Sequence, residues 1–209
     1  MHLYLIRHGQ TSWNAEGRAQ GHTDIPLDEE GRRQAAALAR MFEGTSLGEV
    51  RTSDLLRSKE TAEGVAAASG ARLVEDSRLR ERGFGEWEGM HFTHFHANTP
   101  HLGDESFFSF RPPGGESFQD VWNRLDGVIA DLDSMTQDCA VVSHGGTTAI
   151  LLARLLHGSH ITARSFRFGN TSIVELERKA DGFYTMLRYN DTAHIRSEVL
   201  AGDLDGAHR

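Results

Sequence analysis

Two short apolar runs end alike: Leu3 to Ile6 leads into Arg7-His8-Gly9, and Ala140 to Val142 leads into Ser143-His144-Gly145-Gly146. A brief apolar run closed by glycine reads as a buried strand. In open α/β sheets the ligand crevice lies at the carboxyl ends of the strands, so each histidine emerges where such a crevice forms. The pattern predicts that His8 and His144 share one pocket and that the pocket handles phosphate.

Between and after these runs, helical and strand-like segments alternate. Asp28 reads as an N-cap, after which Ala35, Leu38, Ala39 and Phe42 fall on one helical stripe and Gly44 supplies the stop. Val50 to Ser53 predicts a short strand. Asp54 to Ala68 then predicts a helix carrying Arg57 in its first turn, within reach of the first histidine's pocket. Arg72 to Val74 predicts another strand, followed by an irregular loop with Arg80, Glu81, Gly83, Gly85 and Gly89. Ser117 and Asp120 resemble a capping box ahead of one long amphipathic helix through Val121, Leu125, Val128, Ile129 and Leu132. Gly145 and Gly146 predict a tight turn, and Thr147 to His157 an apolar helix ended by Gly158. Ile173 to Leu176 and Phe183 to Tyr189 flank Ala180-Asp181-Gly182 as a hairpin. The alternation predicts a three-layer αβα sandwich, with a mostly parallel mixed sheet and helices on both faces.

With 209 residues and no linker-like stretch or internal repeat, the chain reads as one domain over 1–209, with an insertion or lid at about 90–115 and a patternless tail after 194. A formal charge of -8 argues against a nucleic-acid or anionic-membrane partner, both of which need a net positive face. Cys139 is the only cysteine and lies in an apolar run, which excludes an internal disulfide framework and predicts a buried structural thiol. Met1 leads directly into a strand-like segment with no long apolar stretch, and the expected location is cytoplasmic. No isolated apolar helix advertises an interface, and the oligomeric state stays open.

Arg7-His8-Gly9 combines an obligate cation, an imidazole and a residue that permits close backbone approach, a set suited to a phosphate dianion. Arg57 adds a second guanidinium fork at a strand-to-helix junction. His144, followed by two glycines at a helix start, adds an imidazole and free N–H groups for an anion. Glu81 offers a proton donor for a leaving oxygen. Taken singly, each residue also fits a plainer role: a helix-surface arginine, a structural histidine, an exposed loop carboxylate.

The ordered series RHGQTSWN, GRAQGHTDIPL, TSDLLRSKETA, LRERGFGEWEG, PPGGES and SHGG resembles the histidine phosphatase superfamily, the phosphoglycerate-mutase-like proteins, from Leu3 to about His194. The resemblance implies that His8 is the phosphate-accepting nucleophile, that Arg7, Arg57 and His144 bind the transferring phosphoryl group, and that Glu81 is the acid/base. It further implies that Asn14, Gln20 and the Gly145 N–H serve as phosphate-pocket ligands. The expected reaction is hydrolysis of a small-molecule phosphate ester through a phosphohistidine, with a bell-shaped pH profile and with arginines in place of a metal, so that no cofactor is required.

A phosphoglycerate mutase must hold a second phosphate and wants extra cations at the pocket mouth. The insertion from His91 to Phe110 contains no Lys or Arg but offers Phe92, Phe95, Phe107, Phe108 and Phe110 with Asp104 and Glu105. That composition favours an apolar or aromatic leaving group, or else a lid that packs on its own scaffold. His91, His94, His96 and His101 raise a metal site as a lesser alternative, without the acidic or cysteine ligands that would complete it. The PPGGES stretch at Pro112 to Ser117 reads first as a rigid turn and helix start, with Glu116 at the border of the pocket as the alternative. A noncatalytic or regulatory member that binds phosphorylated ligands or a protein partner through the same crevice is disfavoured by the complete set His8, Arg7, Arg57, Glu81 and His144. Sugar phosphates, nucleotides, ribazole phosphate and phosphoglycerates all remain open as substrates.

Overall fold

The computed structural model describes residues 1–99 and 103–195. In chain order the elements are β1 (His2–Arg7), α1 (Ser12–Ala15), α2 (Glu29–Arg40), β2 (Glu49–Thr52), α3 (Leu56–Ser69), β3 (Arg72–Glu75), α4 (Phe92–Asn98), α5 (Asp104–Ser109), α6 (Phe118–Arg124), α7 (Asp126–Ser134), β4 (Cys139–Ser143), α8 (Gly145–Leu155), α9 (His160–Ala163), β5 (Ile173–Arg178) and β6 (Tyr184–Asp191). Among the described residues they build a six-stranded sheet of order β3-β2-β4-β1-β5-β6. The first four strands of that order run parallel, and the β5–β6 hairpin joins antiparallel at the β1 edge.

Side-chain alternation along the central strands sorts the core into two layers. Leu3, Leu5, Val141, Val174 and Leu176 face Val121, Leu125, Val128, Leu132 and Leu151, so that α6, α7 and α8 cover one side. Ile6, Ala140, Val142 and Ile173 face Leu38, Phe42, Ala62 and Val65, so that α2 and α3 cover the other. This is the expected αβα sandwich, with the chain changing faces between β3 and β4. The crevice of a doubly wound sheet lies at that change, here between β1 and β4. Cys139 is buried in the first layer, and burial pushes its thiol up to about 12.

Local chemistry accounts for most helix ends. The Asp28 carboxylate accepts the Gly31 N–H, and Ser117 with Asp120 forms the expected capping box. Three expectations change. The single helix after Ser117 is two segments that meet at Leu125, whose amide reaches back to the Val121 carbonyl at 3.3 Å. Gly145 and Gly146 are not a turn before α8 but its first residues. The stop of α8 is His157, not Gly158: His157 takes the left-handed conformation (φ 56°), and the Gly158 N–H bonds back to Ala153 at 2.7 Å, closing a Schellman motif.

The insertion divides its aromatic residues. Phe95 packs with Ala19 and Phe84, supported by Trp87 and Phe110, whereas Phe92, Phe107 and Phe108 line the cavity described below. His91 caps α4 by accepting the Thr93 N–H, and the His94 ring stands edge-on to Trp87. His101 and the tail after residue 195 lie outside the described residues. Among the described residues no helix is long and apolar enough to cross a membrane.

Candidate active site

Strand register brings the two histidine signatures together. β1 and β4 pair in parallel with Arg7 opposite Ser143, so the next residue of each strand, His8 and His144, leaves the sheet at the same level. The His8 N–H donates to the Ser143 carbonyl at 2.9 Å, and the two rings stand 5.1 Å apart at 61°. Gly9 is obligatory at this crossing, because a Cβ there would stand 2.7 Å from the Gly31 carbonyl oxygen.

Hydrogen bonding fixes what each ring presents. His8 Nδ1 lies 2.7 Å from the Gly9 carbonyl oxygen, an acceptor only, so Nδ1 carries the proton and Nε2 keeps its lone pair. Arg57 Nε donates to His144 Nδ1 at 3.2 Å, which makes His144 Nε2 the protonated nitrogen; it is buried and has no hydrogen-bond partner among the described residues. Burial first, then the Arg57 and Arg7 guanidinium charges, hold His8 well below the usual imidazole range. Burial and Arg57 do the same to His144. Both rings are neutral at neutral pH, His8 presenting a lone pair at Nε2 and His144 an N–H.

The cations come from separate elements. Arg7, the last residue of β1, donates through one terminal nitrogen to the Phe168 carbonyl at 2.6 Å, and its buried Nε is unpaired. Arg57, in the first turn of α3, is fully buried and donates to the Thr23 and Gly21 carbonyls at 3.0 and 2.8 Å. Burial lowers it to about 10, still fully charged at neutral pH. Each terminal nitrogen retains a second N–H for a ligand.

Glu81 sits on the start of α8. Its carboxylate accepts the Gly146 and Thr147 N–H groups at 2.9 and 3.1 Å and faces the Thr147 hydroxyl at 3.2 Å. Gly146 makes this approach possible, since a Cβ there would meet the carboxylate at 2.7 Å. Asn14 completes a capping box with Thr11, and its side-chain oxygen accepts from the Thr11 N–H and hydroxyl; its amide nitrogen is the end left for the cavity. Gln20 is buried, with its side-chain oxygen unpaired. All eight residues singled out in the sequence, Arg7, His8, Asn14, Gln20, Arg57, Glu81, His144 and Gly145, line one cavity of about 610 Å³.

Two expectations about the surroundings are corrected. Glu116 does not border the cavity: it accepts the Gly83 N–H at 2.8 Å and pairs with His22 and Arg124. Against the upward push of burial, these partners hold its carboxyl at about 2. The mouth is also not poor in cations, because Arg18, Arg164 and Arg167 line it from outside the insertion. Sequence reasoning missed the support around Glu81, whose carbonyl accepts from His22 at 2.9 Å and from Arg124 at 3.0 Å. It also missed Arg82, fully buried over the Phe118 ring at 4.2 Å, which ties the insertion to its scaffold through the Phe110 and Glu116 carbonyls. An arginine inside the LRERGFGEWEG run was visible, but nothing local said which of its two arginines, Arg80 or Arg82, turns inward.

Known proteins share the sequence pattern and the fold. Residues 3–192 match the family model of the histidine phosphatase superfamily (branch 1). The chain belongs to that superfamily. It is 34% identical over 214 residues, covering the whole of both chains, to a probable phosphoglycerate mutase GpmB of Shigella boydii. Among solved structures it is similar to a mycobacterial glucosyl-3-phosphoglycerate phosphatase complexed with VO3, with a TM-score of 0.80, 31% identity, and coverage of 90% of this chain and 98% of the other. It is also similar to the alpha-ribazole phosphatase from Shigella flexneri, with a TM-score of 0.82, 28% identity, and coverage of 92% and 97%.

Proposed function

We propose that this protein is a phosphomonoesterase that hydrolyses small phosphorylated metabolites through a phosphohistidine on His8. The observation that carries the reading is the tautomer: the Gly9 carbonyl holds the His8 proton on Nδ1, so the Nε2 lone pair faces a cavity that two buried guanidinium groups share. His8 Nε2 attacks phosphorus in line. Arg7, Arg57, His144, Asn14, Gln20 and the Gly145 N–H stabilise the equatorial oxygens. Glu81 protonates the departing oxygen, a contribution of roughly 10²- to 10⁴-fold for a placed general acid. The same carboxylate then takes a proton from the water that cleaves the phosphohistidine. The arginines supply the charge that a metal brings elsewhere, which makes the reaction metal-independent.

Phe107, Phe108, Phe118 and Phe166 in the cavity lining support an apolar or aromatic alcohol as leaving group. Turnover of p-nitrophenyl phosphate in EDTA, abolished in His8→Ala, together with an acid-labile enzyme-bound phosphate in the native protein, is the expected result. Unchanged turnover in His8→Ala rejects the assignment.

A mutase is the second reading. Arg18, Arg164 and Arg167 at the mouth favour it, as does the name of the Shigella boydii relative. Phosphoglycerate interconversion on addition of 2,3-bisphosphoglycerate, faster than hydrolysis, decides for it.

A further inference from the structure

Three of the site residues lean on one short segment between α9 and β5. The Phe168 carbonyl accepts from the Arg7 guanidinium at 2.6 Å, and the Ser172 carbonyl accepts the Arg7 N–H at 3.3 Å. Asn170 Nδ2 donates to the His8 carbonyl at 3.0 Å and reaches the Asn14 side-chain oxygen at 3.4 Å. The Thr171 N–H donates to the same His8 carbonyl at 3.3 Å. Together with the Ser143 and Gly9 contacts, every hydrogen-bonding group of His8 except Nε2 is held.

The segment holds this arrangement under strain. Thr171 is fully buried at φ 53°, a left-handed conformation that a β-branched residue rarely takes and that persists only where its surroundings over-determine it. Its hydroxyl donates to the Asn170 carbonyl at 2.8 Å and so accepts, at 3.0 Å, from Nε2 of the buried His194 beyond β6. Asn170, Thr171 and His194 do not line the cavity.

We infer that Asn170 and Thr171, latched by His194, are positioning residues that aim His8 Nε2 and the Asn14 amide at the phosphoryl group. The inference rests on His8 as nucleophile. Misplacing a reacting atom by about 1 Å costs on the order of 100-fold in rate, so small losses of aim are measurable.

The test compares Asn170→Asp with Asn170→Ala, using p-nitrophenyl phosphate turnover, quench-flow phosphohistidine formation and melting temperature. The Asp variant keeps the shape and loses the donor. A positioning role requires it to be at least as impaired as Ala, with kcat and phosphohistidine formation down about 10- to 100-fold and KM within about threefold. A packing role makes Asp the milder change, and that order, or an undiminished kcat in both, overturns the inference. If neither variant folds, Thr171→Val, which keeps the branch and loses the hydroxyl, is held to the same kcat criterion. Wild-type turnover that does not depend on His8 removes the nucleophile reading itself, and the positioning role with it.

Discussion

Gly146 and Glu81 are matched: the carboxylate accepts the Gly146 N–H at 2.9 Å, and a side chain at position 146 would occupy the space that the carboxylate fills. Glu81 and the first turn of α8 are therefore one unit, and each constrains the other.

Gly146→Ala is expected to displace the Glu81 carboxylate while leaving the phosphate cage intact. kcat should fall by about 10²-fold or more, approaching the loss in Glu81→Gln, while inhibition by inorganic phosphate stays within a few-fold of wild type. A kcat near wild type in Gly146→Ala counts against the assignment of Glu81.

The acidic limb of the rate profile follows from His8. Burial and then the Arg57 and Arg7 charges lower it well below 6.5, so Nε2 stays unprotonated at pH values where an ordinary histidine is half charged. The fall in kcat/KM for p-nitrophenyl phosphate on acidification should begin well below pH 6.5. A midpoint at or above 6.5 contradicts the buried, cation-flanked environment.

The same two histidines set a stability slope. Their folded pKa values are depressed below the unfolded value near 6.5, so the unfolded chain binds protons that the folded one excludes. Stability is retained above about pH 6.5 and is lost as pH falls below it, by up to about 1.4 kcal/mol per histidine per pH unit. Chemical denaturation of wild type against His144→Asn between pH 7 and 5 should show a shallower loss in the variant.

Arg57→Lys is expected to cost both folding and binding. An ammonium cannot satisfy at once the Thr23 and Gly21 carbonyls and His144 Nδ1, and each buried acceptor left unpaired costs about 1–3 kcal/mol. Thermal melts should drop by several degrees, and KM for a phosphomonoester should rise. A melting temperature equal to wild type would show that Arg57 is dispensable to the fold.

The layers of the sandwich were legible because strand and helix periods write themselves into local sequence: Leu3 and Leu5 on one face and Ile6 on the other, Asp28 and Ser117 at helix starts. The eight site residues were legible through motif resemblance, and two of them, His8 and His144, also through their place at strand ends. What stayed hidden depends on tertiary contact. Nothing around Thr171 or Asn170 marks them, since their role comes from lying beside His8 after β5 has paired with β1. Arg18, Arg164 and Arg167 were overlooked because the cavity mouth was sought in the insertion alone, while the fold draws its wall from three distant segments.

β1 is made first yet lies between β4 and β5, both of which come from the far end of the chain. β1 must therefore wait, unpaired on its final edges, until more than two thirds of the polypeptide has left the ribosome. Such long-range pairing is intrinsically slow. An amino-terminal fragment that ends before β5 leaves β1 open on one edge, so the strand that carries His8 is enclosed only when the late-made hairpin closes the sheet.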